Sequence, residues 1–242
     1  MKFLDLTLPS PEENLACDEA LLETCETELG EEVLRFWESK QNFAVLGYSN
    51  KVESELNKEV CQREKLPILR RISGGGTVLQ GPGCLNYALF LEIAKNPELR
   101  TVTSANRFIM ERHRSAVAKL LGKEVLVQGH TDLTLGGLKF SGNSQRRKKK
   151  YLLFHGTFLI KFDFTALEKY LRMPSKQPDY RKSRTHSEFL TNLKISSDKI
   201  KSVLKEAWSA RGTVPSPHDR TRSVIQKLVA ETYSNSEWNF KL

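Results

Sequence analysis

Three consecutive glycines directly behind a strand-like run, Ile68 to Ile72, constrain this chain more than any other feature of its sequence. In Arg70-Arg71-Ile72-Ser73-Gly74-Gly75-Gly76-Thr77 an extended segment carrying a basic pair runs straight into a loop without side chains. Glycine clusters punctuate regular structure, and their backbone N–H groups can approach an anion closely. Arginine adds planar, multi-donor recognition of carboxylate or phosphate. The spacing matches neither the P-loop nor the dinucleotide fingerprint. The glycines alone therefore fit a surface turn equally well, and the two arginines tilt the reading toward an anion site.

Two further segments carry chemistry. Asp132-Leu133-Thr134-Leu135-Gly136-Gly137-Leu138-Lys139-Phe140-Ser141-Gly142-Asn143 sets one lysine among strand-forming residues, just before a small polar turn. A lysine fixed there can act as a point charge on a carboxylate or phosphate, although a lone strand lysine is more commonly solvated. Phe154-His155-Gly156-Thr157-Phe158 interrupts an apolar strand with an imidazole, a glycine and a hydroxyl. Read alone, His155 fits a satisfied core histidine better than a catalyst.

The rest of the sequence sets the frame. Leu15, Cys17, Leu21, Leu22 and Cys25 recur at helical spacing behind Pro9, Ser10 and Pro11, which predicts a helix over Asn14 to Cys25. The apolar runs Val33 to Trp37 and Phe43 to Gly47 read as neighbouring strands, with a hairpin as one arrangement. In Ser104 to Leu121 a helical face of Ile109, Val117, Leu120 and Leu121 leaves the arginines and His113 elsewhere. Further strands are expected at Asn86 to Ile93, Val125 to Val127, Leu133 to Leu135, Leu138 to Gly142 and Phe154 to Phe162, with Gly136-Gly137 as a hairpin turn. Helices are expected at Phe164 to Leu171, Ser197 to Trp208 and Asp219 to Thr232. A proline- and basic-rich loop, Met173 to Arg184, and a linker-like stretch, Arg211 to Pro217, complete the pattern. Paired strands with flanking helices point to an α+β sheet domain.

Composition narrows the function classes. With 242 residues, 39% hydrophobic and 28% charged, the chain has the make-up of a globular protein that buries a sizeable core as one domain, residues 1–242. No stretch approaches the roughly 18–20 apolar residues of a membrane span, and the first residues lack a signal-peptide layout. A cytoplasmic setting is expected. Cys17, Cys25, Cys61 and Cys84 form no CxxC pair and have no histidine at metal-ligand spacing, so they read as reduced thiols, most of them buried. The net charge of +9 favours acidic partners: nucleic acid, nucleotides or acidic proteins. Aromatic residues are not interleaved with the basic runs, which speaks against a single-strand stacking platform.

Taken together and in this order, the three chemical segments resemble the lipoate-protein ligase family, which carries an RRxSGGG loop, a glycine-lysine strand leading into SGSAQR, and HHGT. Asn14 to Leu22 (NLACDEALL) is similar to that family's opening helix, Leu46 to Asn50 (LGYSN) to its LGRxQN turn, and Asn235 to Phe240 (NSEWNF) to the end of its large domain. The resemblance spans nearly the whole chain. It departs where HHGT becomes FHGT, with Phe154 first, and where AVYHDLGNLN becomes TVLQGPGCLN, so that Gln80 and Gly81 replace a histidine and an aspartate.

The resemblance implies a mixed, largely antiparallel sheet flanked by helices, the catalytic-domain fold of biotin and lipoate ligases, without the C-terminal accessory domain found in many relatives. It implies ATP- and Mg²⁺-dependent activation of lipoate or octanoate to an acyl-adenylate, then transfer to a lysine of a lipoyl domain. The acceptors implied are the E2 subunits of 2-oxoacid dehydrogenases and the glycine cleavage H protein, with a separate accessory subunit as a further partner. By resemblance Lys139 is the catalytic cation. Arg71, Ser73, Gly74, Gly75, Gly76, Thr77, Asn86, Ser141, Gly142, Asn143, His155, Gly156 and Thr157 line the acyl-adenylate site, and Asp132 is a candidate for the nucleotide or Mg²⁺. Val45, Leu46 and Leu79 are candidates for the apolar acyl tunnel. The basic runs Gln145 to Lys150 and Arg181 to Arg184 fit docking of an acidic lipoyl domain or closure over the adenylate, and fit solvated loops as well. Three alternatives stay open: an octanoyltransferase acting through a cysteine thioester, a transferase using preformed lipoyl-AMP, and, more distantly, a non-catalytic basic nucleic-acid-binding module. A biotin ligase is disfavoured because its glycine-arginine loop is replaced here by RRISGGG.

Overall fold

The computed structural model describes residues 1–242 apart from Ser175, Pro215 and the side chains of Glu28 and Leu29. The loop Met173 to Arg184 and the stretch Arg211 to Pro217 each include one of these, so both expectations lie partly outside the described residues.

Along the chain, β1 (Lys2–Asp5) leads to α1 (Pro11–Thr24), then β2 (Val33–Trp37) and β3 (Phe43–Leu46). Two short helices, α2 (Val52–Glu55) and α3 (Lys58–Arg63), precede β4 (Ile68–Arg70), β5 (Val78–Gln80) and the long β6 (Cys84–Glu92). The longest helix, α4 (Val102–Leu121), is followed by β7 (Leu126–Gln128), β8 (Asp132–Leu135), β9 (Leu138–Arg147) and β10 (Tyr151–Leu159). The chain then passes through α5 (Phe164–Tyr170), α6 (His186–Phe189), α7 (Ser197–Ala207), β11 (Gly212–Thr213), α8 (Asp219–Leu228) and α9 (Ser236–Asn239).

Local signals explain where the helices start. Ser10 and Glu13 form a capping box: Ser10 Oγ accepts from the Glu13 N–H at 3.2 Å, and the Glu13 carboxylate accepts from the Ser10 N–H at 2.8 Å. Pro11 fills the first turn, where no N–H is needed. Thr101 caps α4 in the same sense, and Gly122 closes it in the left-handed region.

Eight strands form one sheet in the order β11-β1-β2-β6-β10-β9-β8-β7. β1 runs parallel to both β11 and β2, and all other neighbours are antiparallel. A second sheet has the order β4-β3-β5. The mixed, largely antiparallel sheet is as the resemblance implies, and the Gly136-Gly137 turn between β8 and β9 is as the sequence predicts. The expected pairing of β2 with β3 is not: β2 lies between β1 and β6, and β3 belongs to the smaller sheet. Both strands are buried at every position, so their apolar runs carry no alternation that would tie one to the other.

One face of the large sheet packs Leu85, Tyr87, Leu89, Phe154 and Phe158 against α4 and α7. The opposite face packs Ala88, Phe90, Tyr151 and Leu153 against α1 and α8. His113, expected away from the buried stripe of its helix, is fully buried. Its Nε2 accepts from the Trp208 indole N–H at 2.9 Å, and its ring meets Tyr87 edge-on at 4.9 Å. Helical periodicity places a residue on a face but does not show that a tryptophan from α7's end will satisfy it there.

Burial, and secondarily Arg112, push the His113 imidazole down to about 3, so it stays neutral in the folded chain. The unfolded histidine titrates near its ordinary ~6.5. The unfolded state therefore binds one more proton between these values, and stability is lost as pH falls below ~6.5 at up to about 1.4 kcal/mol per pH unit. Urea unfolding at pH 7 and pH 5 should show wild type losing about 2 kcal/mol more than His113→Gln, which keeps an acceptor for Trp208 but does not titrate.

Candidate active site

The register of three central strands decides which side chains share a surface. Asn86 of β6, Thr157 of β10 and Gly142 of β9 form one row, and Ala88, His155 and Ser144 form the next but one. Arg35 and Trp37 of β2 extend those rows opposite Ala88 and Asn86. Residues paired across strands point to the same side. One face thus turns from apolar under α1 and α8 to polar at Arg35, Asn86, Gly142, Ser144, His155 and Thr157.

Lys139 reaches this face through a bulge. Leu133 pairs with Ser141 but Thr134 pairs with Lys139, so Phe140 is an extra residue in β9 and the alternation flips there. Lys139 then lies on the side of Gly142, whose missing Cβ makes room for its Cε and Nζ. Its Nζ contacts Asp132 Oδ1 at 2.9 Å, and the Tyr180 hydroxyl donates to Asp132 Oδ2 at 2.6 Å. Burial, and then the adjacent Asp132, push the Tyr180 phenol up, so it remains a donor.

The smaller sheet brings the glycine loop over the same face. Ser73 Oγ lies 2.5 Å from His155 Nε2, and the Ser144 hydroxyl donates to Gly74 O at 2.9 Å. Gly47 lets the two turns meet, because a Cβ there would overlap the Gly75 carbonyl oxygen. Among the described residues, the N–H groups of Gly74, Gly75 and Gly76 have no partner in the chain, and Gly75 and Gly76 are exposed. Thr77 is tied down at the loop's end, its Oγ1 accepting from Asn50 Nδ2 at 3.1 Å.

Neither arginine of the loop presents its guanidinium to this surface. Arg70 is fully buried and donates to carbonyls of Gly47, Tyr48, Asn50, Trp238 and Asn239. Arg71 folds back on its own loop, donating to Gly74 O at 2.6 Å, Gly76 O at 2.8 Å and Ser73 Oγ at 3.1 Å. Both guanidinium groups are committed to carbonyls and a hydroxyl that shape the loop. Two other sequence candidates sit behind the face. Asn143 spreads over Gly156 in the intervening row, accepting from the Tyr87 hydroxyl at 2.6 Å and donating to Thr131 O at 2.5 Å. Ser141, opposite Phe158 and Leu133, is buried on the core side because the bulge turns it from Lys139.

On the site face Thr157 donates to Asn86 Oδ1 at 2.6 Å and accepts from Gln80 Nε2 at 2.6 Å. The free ends of both amides, Asn86 Nδ2 and Gln80 Oε1, are buried without a partner among the described residues. Leu46 and Leu79 pack into the core between the smaller sheet and its helices, and Val45 packs under α1. Within the basic run Arg147 donates to Leu99 O and Arg100 O and Lys148 pairs with Glu23, while Arg146, Lys149 and Lys150 are exposed. A cleft of about 1010 Å³ lies between α4 and α7 and is lined by none of these motif residues.

Sequence reading missed the charges beneath the loop. Arg35 Nη1 contacts Asp18 Oδ1 at 2.5 Å and donates to Asn14 O at 2.9 Å, while Nη2 donates to Asn14 Oδ1 at 2.8 Å. The other oxygen of Asp18 faces His155 Nδ1 at 3.7 Å. Burial works to raise the Asp18 carboxyl, but Arg35 and then His155 overcome it and hold the group below its ordinary range. The available signal was a charge inside an apolar strand, VLRFW, matched by one inside an apolar helix, LACDEALL.

The arrangement offers a lysine cation, open backbone N–H groups and a set of short-range hydroxyl, amide and imidazole contacts. Among the described residues no group of three His, Cys, Asp or Glu side chains can hold a metal. All four cysteines are free and buried: Cys17 on α1 and Cys25 at its C-terminal cap, Cys61 on α3 and Cys84 on β6 in the cluster beneath the smaller sheet.

The comparisons agree with this layout. The family model described as "Lipoyl protein ligase A/B catalytic domain" matches residues 10–208. "Probable lipoate-protein ligase A" of Mycoplasma pneumoniae is 30% identical over 251 residues, covering 99% of this chain and 72% of that protein. "Octanoyltransferase LipM" of Geobacillus kaustophilus is 26% identical over 272 residues, covering 99% and 98%. A bi-partite lipoate protein ligase of Thermoplasma acidophilum, solved in a study with its E2 lipoyl domain, superposes with a TM-score of 0.84 at 22% identity over 99% of this chain and 95% of that one. A lipoate-protein ligase A bound with ATP superposes with a TM-score of 0.82 at 23% identity over 99% of each chain. At these identities the two structures speak for the fold. The match over residues 10–208, a span that includes the glycine loop, the Lys139 strand and the His155 strand, means that this chain belongs to the lipoyl protein ligase A/B catalytic-domain family.

Proposed function

We propose that this chain is an ATP-dependent lipoate-protein ligase, converting lipoate or octanoate to its acyl-adenylate and passing the acyl group to a lysine of a lipoyl domain. One observation carries the choice of ligase over thioester transferase: the site face presents Lys139 beside Gly142, whereas Cys84, two residues before Asn86 on the same side of β6, is fully buried against the smaller sheet. Burial pushes Cys17 up to about 11 and Cys25 and Cys84 up to about 12, so none of the three is a thiolate nucleophile near neutral pH. The ATP-bound relative shares the fold, and the likeness to a lipoate-protein ligase A is in accord with this reading.

The chemistry has two displacements. The substrate carboxylate attacks the α-phosphorus of ATP and pyrophosphate leaves. The acceptor lysine's amine then attacks the carbonyl carbon of the mixed anhydride, AMP leaves with the bonding electrons, and the amine loses a proton. In both steps negative charge builds on oxygens between carbonyl and phosphorus, so the contribution asked of the protein is position and charge neutralisation. Lys139 supplies the cation by exchanging Asp132 for the reacting oxygens, and Tyr180 keeps Asp132 hydrogen-bonded once the lysine departs. The N–H groups of Gly74 to Gly76 complement phosphate or carboxylate oxygens. Asn86 and Gln80 have amide ends left to bond a polar group of the substrate. Mg²⁺ enters with the nucleotide as part of the substrate, since one carboxylate, Asp132, is a typical protein share of such a site.

Purified chain incubated with ATP, Mg²⁺, lipoate and an apo lipoyl domain should release pyrophosphate and raise the acceptor's mass. Pyrophosphate without acceptor modification would show that a partner is needed for transfer. Acceptor modification from an acyl-carrier thioester without ATP would establish the transferase activity in its place. Lys139→Ala should reduce pyrophosphate release by about 10²–10³-fold while the circular dichroism spectrum is retained. Cys84→Ala should keep turnover within about threefold of wild type, because a buried thiol contributes packing and not chemistry. Complete loss in a folded Cys84 variant would revive the thioester route.

A further inference from the structure

We propose that Asp18, clamped by Arg35, is a positioning residue that sets the tautomer of His155 and thereby orients Ser73 and the glycine loop for the reaction. This rests on the ligase reading for what the loop does, but the tautomer itself is independent of that reading.

The argument starts from the cost of the pair. Arg35 is fully buried and Asp18 is 3% exposed, with Arg35 in the row that holds Ala88, His155 and Ser144. Burying two charges costs several kcal/mol per ion before their attraction offsets it, and apolar replacements of similar volume are commonly as stable. Stability is thus a weak reason for this pair to exist. Its geometry gives a better one. Arg35 is fixed by Asn14, by Leu6 O and by Asp18, so one carboxylate oxygen is committed and the other is aimed at His155.

A carboxylate has no proton to donate, so the ring nitrogen facing it is the protonated one. With Nδ1–H toward Asp18 Oδ2, neutral His155 leaves Nε2 as an acceptor, and the Ser73 hydroxyl must donate to it across 2.5 Å. Ser73 Oγ meanwhile accepts from Arg71 Nε, and Arg71 holds the carbonyls of Gly74 and Gly76. A single polarity therefore runs from a buried arginine on β2, through α1 and β10, into the loop. Ser73 is only 1% exposed, which suits a hydroxyl that anchors a loop and not one that attacks a carbonyl.

Asp18→Asn tests this with little change in shape. Asn Oδ1 can keep Arg35, and its NH₂ then faces His155, forcing Nδ1 to accept and Nε2 to carry the proton. The Ser73 hydroxyl loses its acceptor while the packing is preserved. Nitrogen NMR of the histidine rings in the substrate-free wild type should find His155 protonated at Nδ1, and the substitution should move the proton to Nε2. Pyrophosphate release should fall on the order of 100-fold, the scale expected when reacting groups are misplaced by about an ångström. Asp18→Glu, which keeps the carboxylate, should leave the proton on Nδ1.

An Nε2–H tautomer in wild type would overturn the proposal, as would a tautomer shift without loss of rate. An acyl ester on Ser73, found by peptide mass after turnover, would also overturn it by making the serine a nucleophile. If Asp18→Asn fails to fold because Arg35 is left short of charge, the wild-type tautomer and the Asp18→Glu spectrum still decide. Absence of pyrophosphate release in wild type would count against the ligase reading alone.

Discussion

Everything that makes this sheet useful depends on one register. β6, β10 and β9 stay in step so that Asn86, Thr157 and Gly142 stand together and Leu85, Phe158 and Ser141 stand together on the reverse. A slip of one residue would exchange the faces. Leu85, Leu89, Phe154 and Phe158 would lose α4 and α7, and the polar row would be driven into the core. The same large apolar residues that hold the sheet to its helices therefore specify, at no added cost, which polar groups meet on the opposite side.

That face is polar at one end only, and the transition is built from partners that satisfy each other. Thr157 bonds both Asn86 and Gln80, Lys139 faces Asp132, and the buried charge of Arg35 is met by Asp18 and Asn14. Groups without partners there carry the more information. The N–H groups of the glycine loop and the outer ends of Asn86 and Gln80 have hydrogen-bonding capacity that no described residue uses, and such capacity, where buried, is costly unless something binds it.

How much of this could be read from the sequence depended on range. Capping and period are local, so the helix behind Ser10 and Pro11 and the strand carrying Lys139 were legible. So was the order of motifs, which led to the family and hence to the sheet type. What escaped was set by partners far away. The β2 and β3 runs look like neighbours but are claimed by different sheets. Arg70 and Arg71 look like an anion site because their acceptors, carbonyls of Gly47, Asn50, Trp238 and their own loop, leave no trace in local pattern. The bulge at Phe140, which alone puts Lys139 beside Gly142, depends on pairing with β8 and has no composition signature.

The embrace of Arg70 by Trp238 and Asn239 also orders events in time. The root of the glycine loop emerges from synthesis early, but the carbonyls and the Asn239 side chain that hold it lie 168 and 169 positions further on. Folding begins while the chain is still being made, so the central strands β6, β9 and β10 are available for pairing while the root of this loop still lacks its contacts with Trp238 and Asn239. The strands that carry Lys139 and His155 are thus made well before the residues that fix the root of the loop facing them.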